Sequence, residues 1–232
     1  AGHHPEMVDG AGLLVYSAAI AVDDPERVEA RRLGIPQMER AVLLGEIMQD
    51  AARQVCVCGT HGKTTTTAML AQMLHEIDAD PTVHLGGSLD AIGGSIRIGD
   101  SGLFVAEACE FNRSFLHMPV TMALLLNIEV DHLDCYGTMD AVEAAYVAFL
   151  EHLPDDGKVL ALGDDERVSR VLSQLTPKNR VIYTFGNQPD FDYSFAQLEF
   201  DQKGNAFFDV LYQGNTLCPV NLRVPGLYNA LH

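Results

Sequence analysis

The 232-residue sequence is 47% hydrophobic and 20% charged, a globular composition, and its 15 Lys and Arg against 32 Asp and Glu leave a net charge of −17. That balance argues against a general nucleic-acid binder, which needs basic surface to displace phosphate counterions, although one loop can still hold a single nucleotide. The most continuous apolar stretch, residues 11–22, is too short to cross a bilayer, no signal peptide opens the chain, and five Cys make no paired framework, so the expectation is a soluble, cytoplasmic protein of one or two domains.

In chain order, residues 12–20 read as a strand. Asp23-Asp24-Pro25-Glu26 then supplies an N-cap, an early Pro and acidic first-turn residues for a helix to about Leu33. A second helix over about 39–52 leads into the apolar run Gln54-Val55-Cys56-Val57-Cys58, and a Gly loop leads into a helix over about 63–77. Further strand-like runs are 103–106, 122–126, 159–162 and 181–185, with helical stretches at 139–153 and 165–175 between the later ones. Continuous apolar strands alternating with helices predict an α/β fold with a mostly parallel, helix-covered sheet. After Ser194 the texture changes: runs at 195–200, 206–212 and 217–224, separated by Lys203-Gly204-Asn205 and Gln213-Gly214-Asn215, predict a small antiparallel meander. Both ends look cut, since the chain starts at Ala1 without Met and stops just after the Pro225-Gly226 turn signal.

The strongest chemical signal is Gly59-Thr60-His61-Gly62-Lys63-Thr64-Thr65, between an apolar strand and a helix. Small residues let backbone N–H groups turn toward phosphate oxygens, and the helix N-terminus adds its positive dipole end. Lys63 would neutralise β- and γ-phosphate charge, and the Thr64 hydroxyl would sit on Mg²⁺. Val57 stands where the common phosphate loop has its first Gly, so this is a variant of that loop. The alternative is a Gly-rich turn in which Thr64 merely caps the helix. The loop is expected at the surface, so Lys63→Ala is expected to leave the fold nearly intact.

The second candidate is Glu107-Ala108-Cys109-Glu110, at the end of a strand-like run, where a carboxylate reaches the ligand-binding edge of a parallel sheet and can hold Mg²⁺. The bland reading is an exposed acid after a strand. Third is Asn127-Ile128-Glu129-Val130-Asp131-His132, whose His132 would ligate metal or orient a phosphate, against a merely structural His. Other features carry less. Cys56 and Cys58 are read as pointing to opposite faces of their strand, which argues against a metal pair. His3-His4 reads as solvated or as a substrate rim, and Gly86-Gly87 and Gly93-Gly94 fit ordinary turns as well as a close backbone approach to a ligand.

Together these residues resemble the Mur ligase family. The loop over 59–67 is similar to the family's phosphate loop, with His61 where most members have Asn, which points to the alanine-adding branch. Glu107-Ala-Cys-Glu110 followed by Ser114-Phe115-Leu116-His117 resembles its acidic motif, and the run from Asn127 through His132 to Asp134 resembles the next. Pro225-Gly226 with Asn229 is similar to the segment near the adenine, with Tyr228 in place of the usual His and His232 at the following Asn position. The resemblance implies a three-domain enzyme, in which residues 1–54 are the end of a uridine-nucleotide-binding, Rossmann-like domain and 55–232 most of the central ATP-binding domain. It implies ATP and Mg²⁺, with UDP-N-acetylmuramic acid and L-alanine as substrates, no nucleic acid and no membrane insertion. The implied catalytic residues are Lys63, Glu107 and His132. Nucleotide is held by Gly59, Thr60, His61, Gly62, Lys63, Thr64, Thr65 and Asn229, and metal by Thr64, Glu107 and His132. Glu110 has a less defined role, with shaping the loop as its alternative. No Lys lies between Lys63 and Lys158 to serve as the carbamylated metal bridge of several members, which fits the alanine-adding branch. A murein-peptide-recycling ligase and a non-catalytic nucleotide-binding module are the competing readings. The chain by itself is expected not to complete the ligation.

Overall fold

The computed structural model describes residues 2–131, 133–226 and 229–230. Two sheets form among them. The small one pairs β1 (Leu14–Tyr16) with β2 (Gln37–Glu39) in parallel, joined by α1 (Pro25–Leu33). Asp24 caps α1 by accepting from the backbone N–H groups of Glu26 and Arg27, and Gly34, at φ 70°, ends it in the left-handed conformation. The first strand is much shorter than residues 12–20, because its partner offers only three residues to pair with.

The large sheet is built from β3 (Arg53–Cys58), β4 (Thr82–Leu89), β5 (Gly94–Arg97), β6 (Leu103–Glu107), β7 (Met122–Leu125), β8 (Lys158–Leu162), β9 (Val181–Phe185), β10 (Tyr193–Phe200), β11 (Ala206–Tyr212) and β12 (Asn215–Leu222). Their order is β12-β11-β10-β9-β8-β7-β3-β6-β4-β5. From β4 to β9 neighbours run parallel through the centre, β5 adds antiparallel at one edge, and β10 to β12 form the antiparallel meander at the other. The mostly parallel sheet and the terminal meander are therefore as the sequence implies. Strands β4 and β5 are additions: Gly86-Gly87 lies within a strand rather than in a turn.

Helices cover both faces. On one, α3 (Lys63–Glu76) packs Ala71 against Val83, Leu85 and Val105. On the other, α2 (Arg40–Met48), α5 (Met139–Glu151), α6 (Glu166–Ser173) and the 3-10 segment Phe111–His117 enclose the larger core, with Met48, Phe115, Tyr146 and Phe149 fully buried. A four-residue helix, α4 (Leu133–Tyr136), precedes α5. The second helix stops at Met48 rather than Ala52, because the chain must turn for Arg53 to enter β3 opposite Leu103. At Gly45 of α2, an added Cβ would lie 2.0 Å from the His117 carbonyl oxygen, so only glycine lets this helix sit against the 3-10 segment.

This order places the site. β3 is followed by β4 on one side of it, while β7 lies on the other, so the strand order reverses at β3 and leaves a crevice beyond its C-terminal end. Open parallel sheets bind ligands in such a crevice.

Candidate active site at the reversal of strand order

The loop after β3 passes through Gly59 (φ 137°) and Gly62 (φ 86°), backbone angles that side-chain-bearing residues resist. A Cβ at Gly59 would also lie 3.0 Å from the Asn127 nitrogen, so the loop lies directly against the end of β7. Asn127 ties the two together. Its backbone carbonyl accepts from the Thr60 N–H at 2.9 Å, its Oδ1 accepts from the His61 N–H at 2.8 Å, and its Nδ2 donates to the His61 carbonyl at 2.9 Å. The Thr60 hydroxyl in turn accepts from the Glu129 N–H at 2.8 Å. These bonds set the loop's shape before any ligand arrives, leaving the first N–H groups of α3 to face the crevice.

Two side chains of α3 meet the carboxylates that follow β6. Thr64 Oγ1 donates to Glu107 Oε2 at 2.8 Å, and the same oxygen accepts from the Gly86 N–H at 2.9 Å. A Cβ at Gly86 would stand 2.6 Å from that oxygen, which is why glycine occupies this point of β4. Lys63 Nζ donates to the carbonyls of Gly59 and Thr60, at 2.6 and 2.9 Å, and ion-pairs with Glu110 at 2.9 Å. The expectation of a surface lysine fails. Its side chain is only 11% exposed and that of Glu110 4%, because the 3-10 segment folds Glu110 beneath the loop.

Thr64 and Glu107 offer hydroxyl and carboxylate oxygens, the hard ligands that Mg²⁺ takes in small number when phosphates and water complete its octahedron. The donor set fits. Among the described residues, the one cluster of three or more His, Cys, Asp or Glu side chains close enough to share a metal ion is His3, Asp24 and Glu26, beside the small sheet. His132 lies outside the described residues.

Beyond the loop opens a cavity of about 1130 Å³, lined among others by His61, Thr65, Asn127, Asp165, Arg167 and Asn229. Asp165 does more than begin the helical stretch. It caps α6 by accepting from the Arg167 and Val168 N–H groups, and its second oxygen accepts from the Ile128 N–H at 3.0 Å, so it also fixes the segment after β7. Asn229 reaches the cavity wall with its Nδ2 donating to the Pro225 carbonyl at 2.7 Å. At the mouth, His61 Nε2 lies 3.7 Å from Glu129 Oε2, both exposed.

The structure thus brings together Lys63, Thr64 and Glu107 at one sheet edge, with Gly59, Thr60, His61, Gly62 and Thr65 around the same loop and Asn229 across the cavity. Sequence reasoning left Gly86 open between an ordinary turn and a close backbone approach to a ligand, and gave Asn127 no role of its own; the structure sets the Gly86 N–H on the Glu107 carboxylate. It also misjudged Cys56 and Cys58. Residues two apart in a strand share a face, and both thiols lie in one buried cluster, donating to the Pro119 and Leu124 carbonyls. Burial pushes the Cys56 thiol up to about 12 and Cys58 higher than its ordinary value, so neither is a thiolate ligand. Next to the carboxylate, burial first and the Arg40 charge second lower the pKa of His84.

Comparison with known proteins agrees with this geometry. The model of the Mur ligase middle domain matches residues 57–231, and that of the Mur ligase family catalytic domain matches residues 1–52. A UDP-N-acetylmuramate–L-alanine ligase of Acetivibrio thermocellus is 42% identical over 98% of the chain, and the match takes in 48% of that relative. The chain therefore spans about half the length of the curated relatives it matches. Among solved structures, the UDP-N-acetylmuramate-alanine ligase MurC of Thermotoga maritima superposes with a TM-score of 0.85 at 26% identity, over 99% of this chain and 51% of that one. The UDP-N-acetylmuramate:L-alanyl-gamma-D-glutamyl-meso-diaminopimelate ligase of Neisseria meningitides shares the fold, with a TM-score of 0.86 at 24% identity over 99% of this chain and 75% of that one. A glycine-rich loop at the reversal of strand order, a threonine–carboxylate pair beside it and these matches along nearly the whole chain have one common source: the chain belongs to the Mur ligase family.

Proposed function

We propose that this chain is the nucleotide-handling part of an ATP-dependent ligase that joins L-alanine to UDP-N-acetylmuramic acid in peptidoglycan precursor synthesis. The observation that carries the reading is the meeting of Thr64 and Glu107, 2.8 Å apart, beside the Lys63 loop. Mur ligases use ATP, and the 42% identity to an alanine-adding relative favours L-alanine over a peptide as the amine. Residues 1–54 are assigned to the end of the uridine-nucleotide-binding domain and 55–232 to the central ATP-binding domain. No helix among the described residues is long and apolar enough to cross a membrane; a cytoplasmic location is part of the proposal.

The chemistry follows from a poor electrophile. A carboxylate cannot be attacked by an amine because its leaving group would be oxide. Transfer of the γ-phosphoryl group of ATP to the N-acetylmuramic acid carboxylate releases ADP and makes an acyl phosphate. The neutral amine of L-alanine then adds to the carbonyl carbon, the C–O bond to phosphate breaks, and the amine proton leaves with solvent or base. Two anions must approach each other in the first step. The positive charge of Lys63 and the first N–H groups of α3 are what this chain offers to the transferring phosphoryl group, the Thr60 and His61 N–H groups being held by Asn127. Thr64, Glu107 and His132 are the proposed holders of Mg²⁺, which when bound offsets the charge between the phosphates. Asn229 and the cavity wall are assigned to the rest of the nucleotide.

The test is phosphate release by the full-length protein with ATP and UDP-N-acetylmuramic acid, comparing L-alanine with the L-alanyl-γ-D-glutamyl-diaminopimelate tripeptide. Turnover with L-alanine supports the proposal. Preference for the tripeptide would assign the recycling reaction instead, and nucleotide binding without phosphate release would leave a binding module.

A further inference from the structure

Glu110 is the most deeply buried carboxylate among the described residues, at 3% exposure, and the metal and nucleotide roles above leave it unused. Several independent features hold it in place. Its backbone carbonyl accepts from the Tyr136 hydroxyl at 2.5 Å and from the Arg113 N–H at 2.8 Å. The next turn puts Asn112 (φ 51°) and Arg113 (φ 59°) successively in the left-handed region, a conformation that ordinary residues adopt only when surrounding structure enforces it. What enforces it is Phe115, fully buried and stacked on Phe149 with ring centroids 4.8 Å apart. The chain is thus bent between Glu107 and Phe115 so that a carboxylate points up beneath the phosphate loop.

There it meets one cation. Lys63 Nζ lies 2.9 and 3.2 Å from the two Glu110 oxygens and also donates to the Gly59 and Thr60 carbonyls. An ammonium has three protons, and these three acceptors take them and fix where its positive charge stands, so Lys63 meets a phosphoryl group as a placed charge. A flexible lysine stem has many rotamers, and a carboxylate at its end selects one. We infer that Glu110 is a positioning residue that holds the Lys63 ammonium at the floor of the loop, against the site where the transferring phosphoryl group passes. Glu107 and Glu110, three residues apart, therefore divide the work: one meets Thr64 and the other aims the lysine.

This inference rests on the proposed ligase reading, and the experiment separates the two. In the full-length enzyme, Glu110→Gln keeps the shape and removes the charge, while Glu110→Asp keeps the charge on a shorter arm. Melting temperature and the folded fraction are measured alongside ATP kinetics and ADP binding by calorimetry. Displacing one fixed positive charge from a phosphoryl transition state lowers kcat by roughly tenfold or more, and the expected result for Glu110→Gln is that loss, with ATP KM and ADP affinity within about twofold and partial recovery in Glu110→Asp. A kcat per folded molecule within about twofold of the parent would make Glu110 merely structural and overturn the inference. Tighter ADP binding with unchanged or higher kcat would mean that Glu110 competes with phosphate for Lys63, and would overturn it too. Should Glu110→Gln fail to fold, the same kcat-against-KM comparison on Glu110→Asp decides. A parent enzyme inert toward L-alanine would refute the functional reading instead; the positioning role then stands or falls on whether Nζ leaves the Gly59 and Thr60 carbonyls in a crystal structure of Glu110→Gln.

Discussion

Replacing Gly86 by Ala adds one methyl group directly against the Glu107 carboxylate. The added Cβ would lie 2.6 Å from Glu107 Oε2, 3.0 Å from Cδ and 3.1 Å from Oε1. Ordinary contact begins near 3.4 Å, so the carboxylate must retreat by about 0.8 Å. Gly86 is not at positive φ, so its backbone accepts alanine, and the N–H that bonds Glu107 is retained. The clash falls on the mobile end of a side chain, so the stability cost should be small, about 1 kcal/mol or less. Catalysis should suffer far more, because a displacement of about 1 Å in a reacting assembly can cost on the order of a hundredfold. The expectation for the full-length enzyme is a 10- to 100-fold lower kcat/KM, in line with that principle, a higher Mg²⁺ concentration for half-maximal rate and a nearly unchanged melting temperature. The assay is L-alanine-dependent phosphate release across a Mg²⁺ titration, paired with thermal unfolding. An unchanged rate and Mg²⁺ dependence in a folded Gly86→Ala protein would refute the proposed place of Glu107 among the Mg²⁺ ligands.

Three further outcomes are expected. Lys63→Ala should abolish phosphoryl transfer and also destabilise the protein by about 3–5 kcal/mol, since it strands the buried Glu110 charge; adding Glu110→Gln should recover much of that stability, and a denaturant titration of single and double variants checks it. Asn127→Ala removes two bonds to His61 and should cost about 1–3 kcal/mol and raise the KM for ATP, whereas an unaltered KM would show that the loop holds its shape alone. Bonding to the Thr176 N–H, aided by Arg180, holds the Glu151 carboxyl at about 2, below its ordinary 4.5. Its contribution is therefore complete above about pH 4.5 and lost as the pH falls toward 2, so Glu151→Gln should flatten the acid side of the stability profile, read as melting temperature against pH.

Much of the site is legible locally because its pieces are local. A glycine-rich turn between an apolar strand and a helix, an Asp before each of α1 and α6, and acids at the ends of apolar runs all act within a few residues of themselves. Those signals marked Lys63, Thr64 and Glu107 correctly as neighbours of one edge. They gave Glu110 no partner, left Gly86 open between an ordinary turn and a close backbone approach, and placed at the surface a loop whose lysine side chain is only 11% exposed.

The sequence by itself determined the α/β alternation, the phosphate loop and the terminal meander, since hydrophobic period and turn chemistry are read within single elements. Only the tertiary structure decided which loops share the crevice. Thr64 and Glu107 are 43 residues apart, Lys63 and Glu110 47, and His61 and Asn127 66. What joins them is the order β7-β3-β6-β4, which sets the end of β3 between the ends of β6 and β7 and brings the Gly86 backbone up against Glu107. Strand order is chosen by how two helical layers bury opposite faces of one sheet, a property of the whole packed chain that no short segment carries.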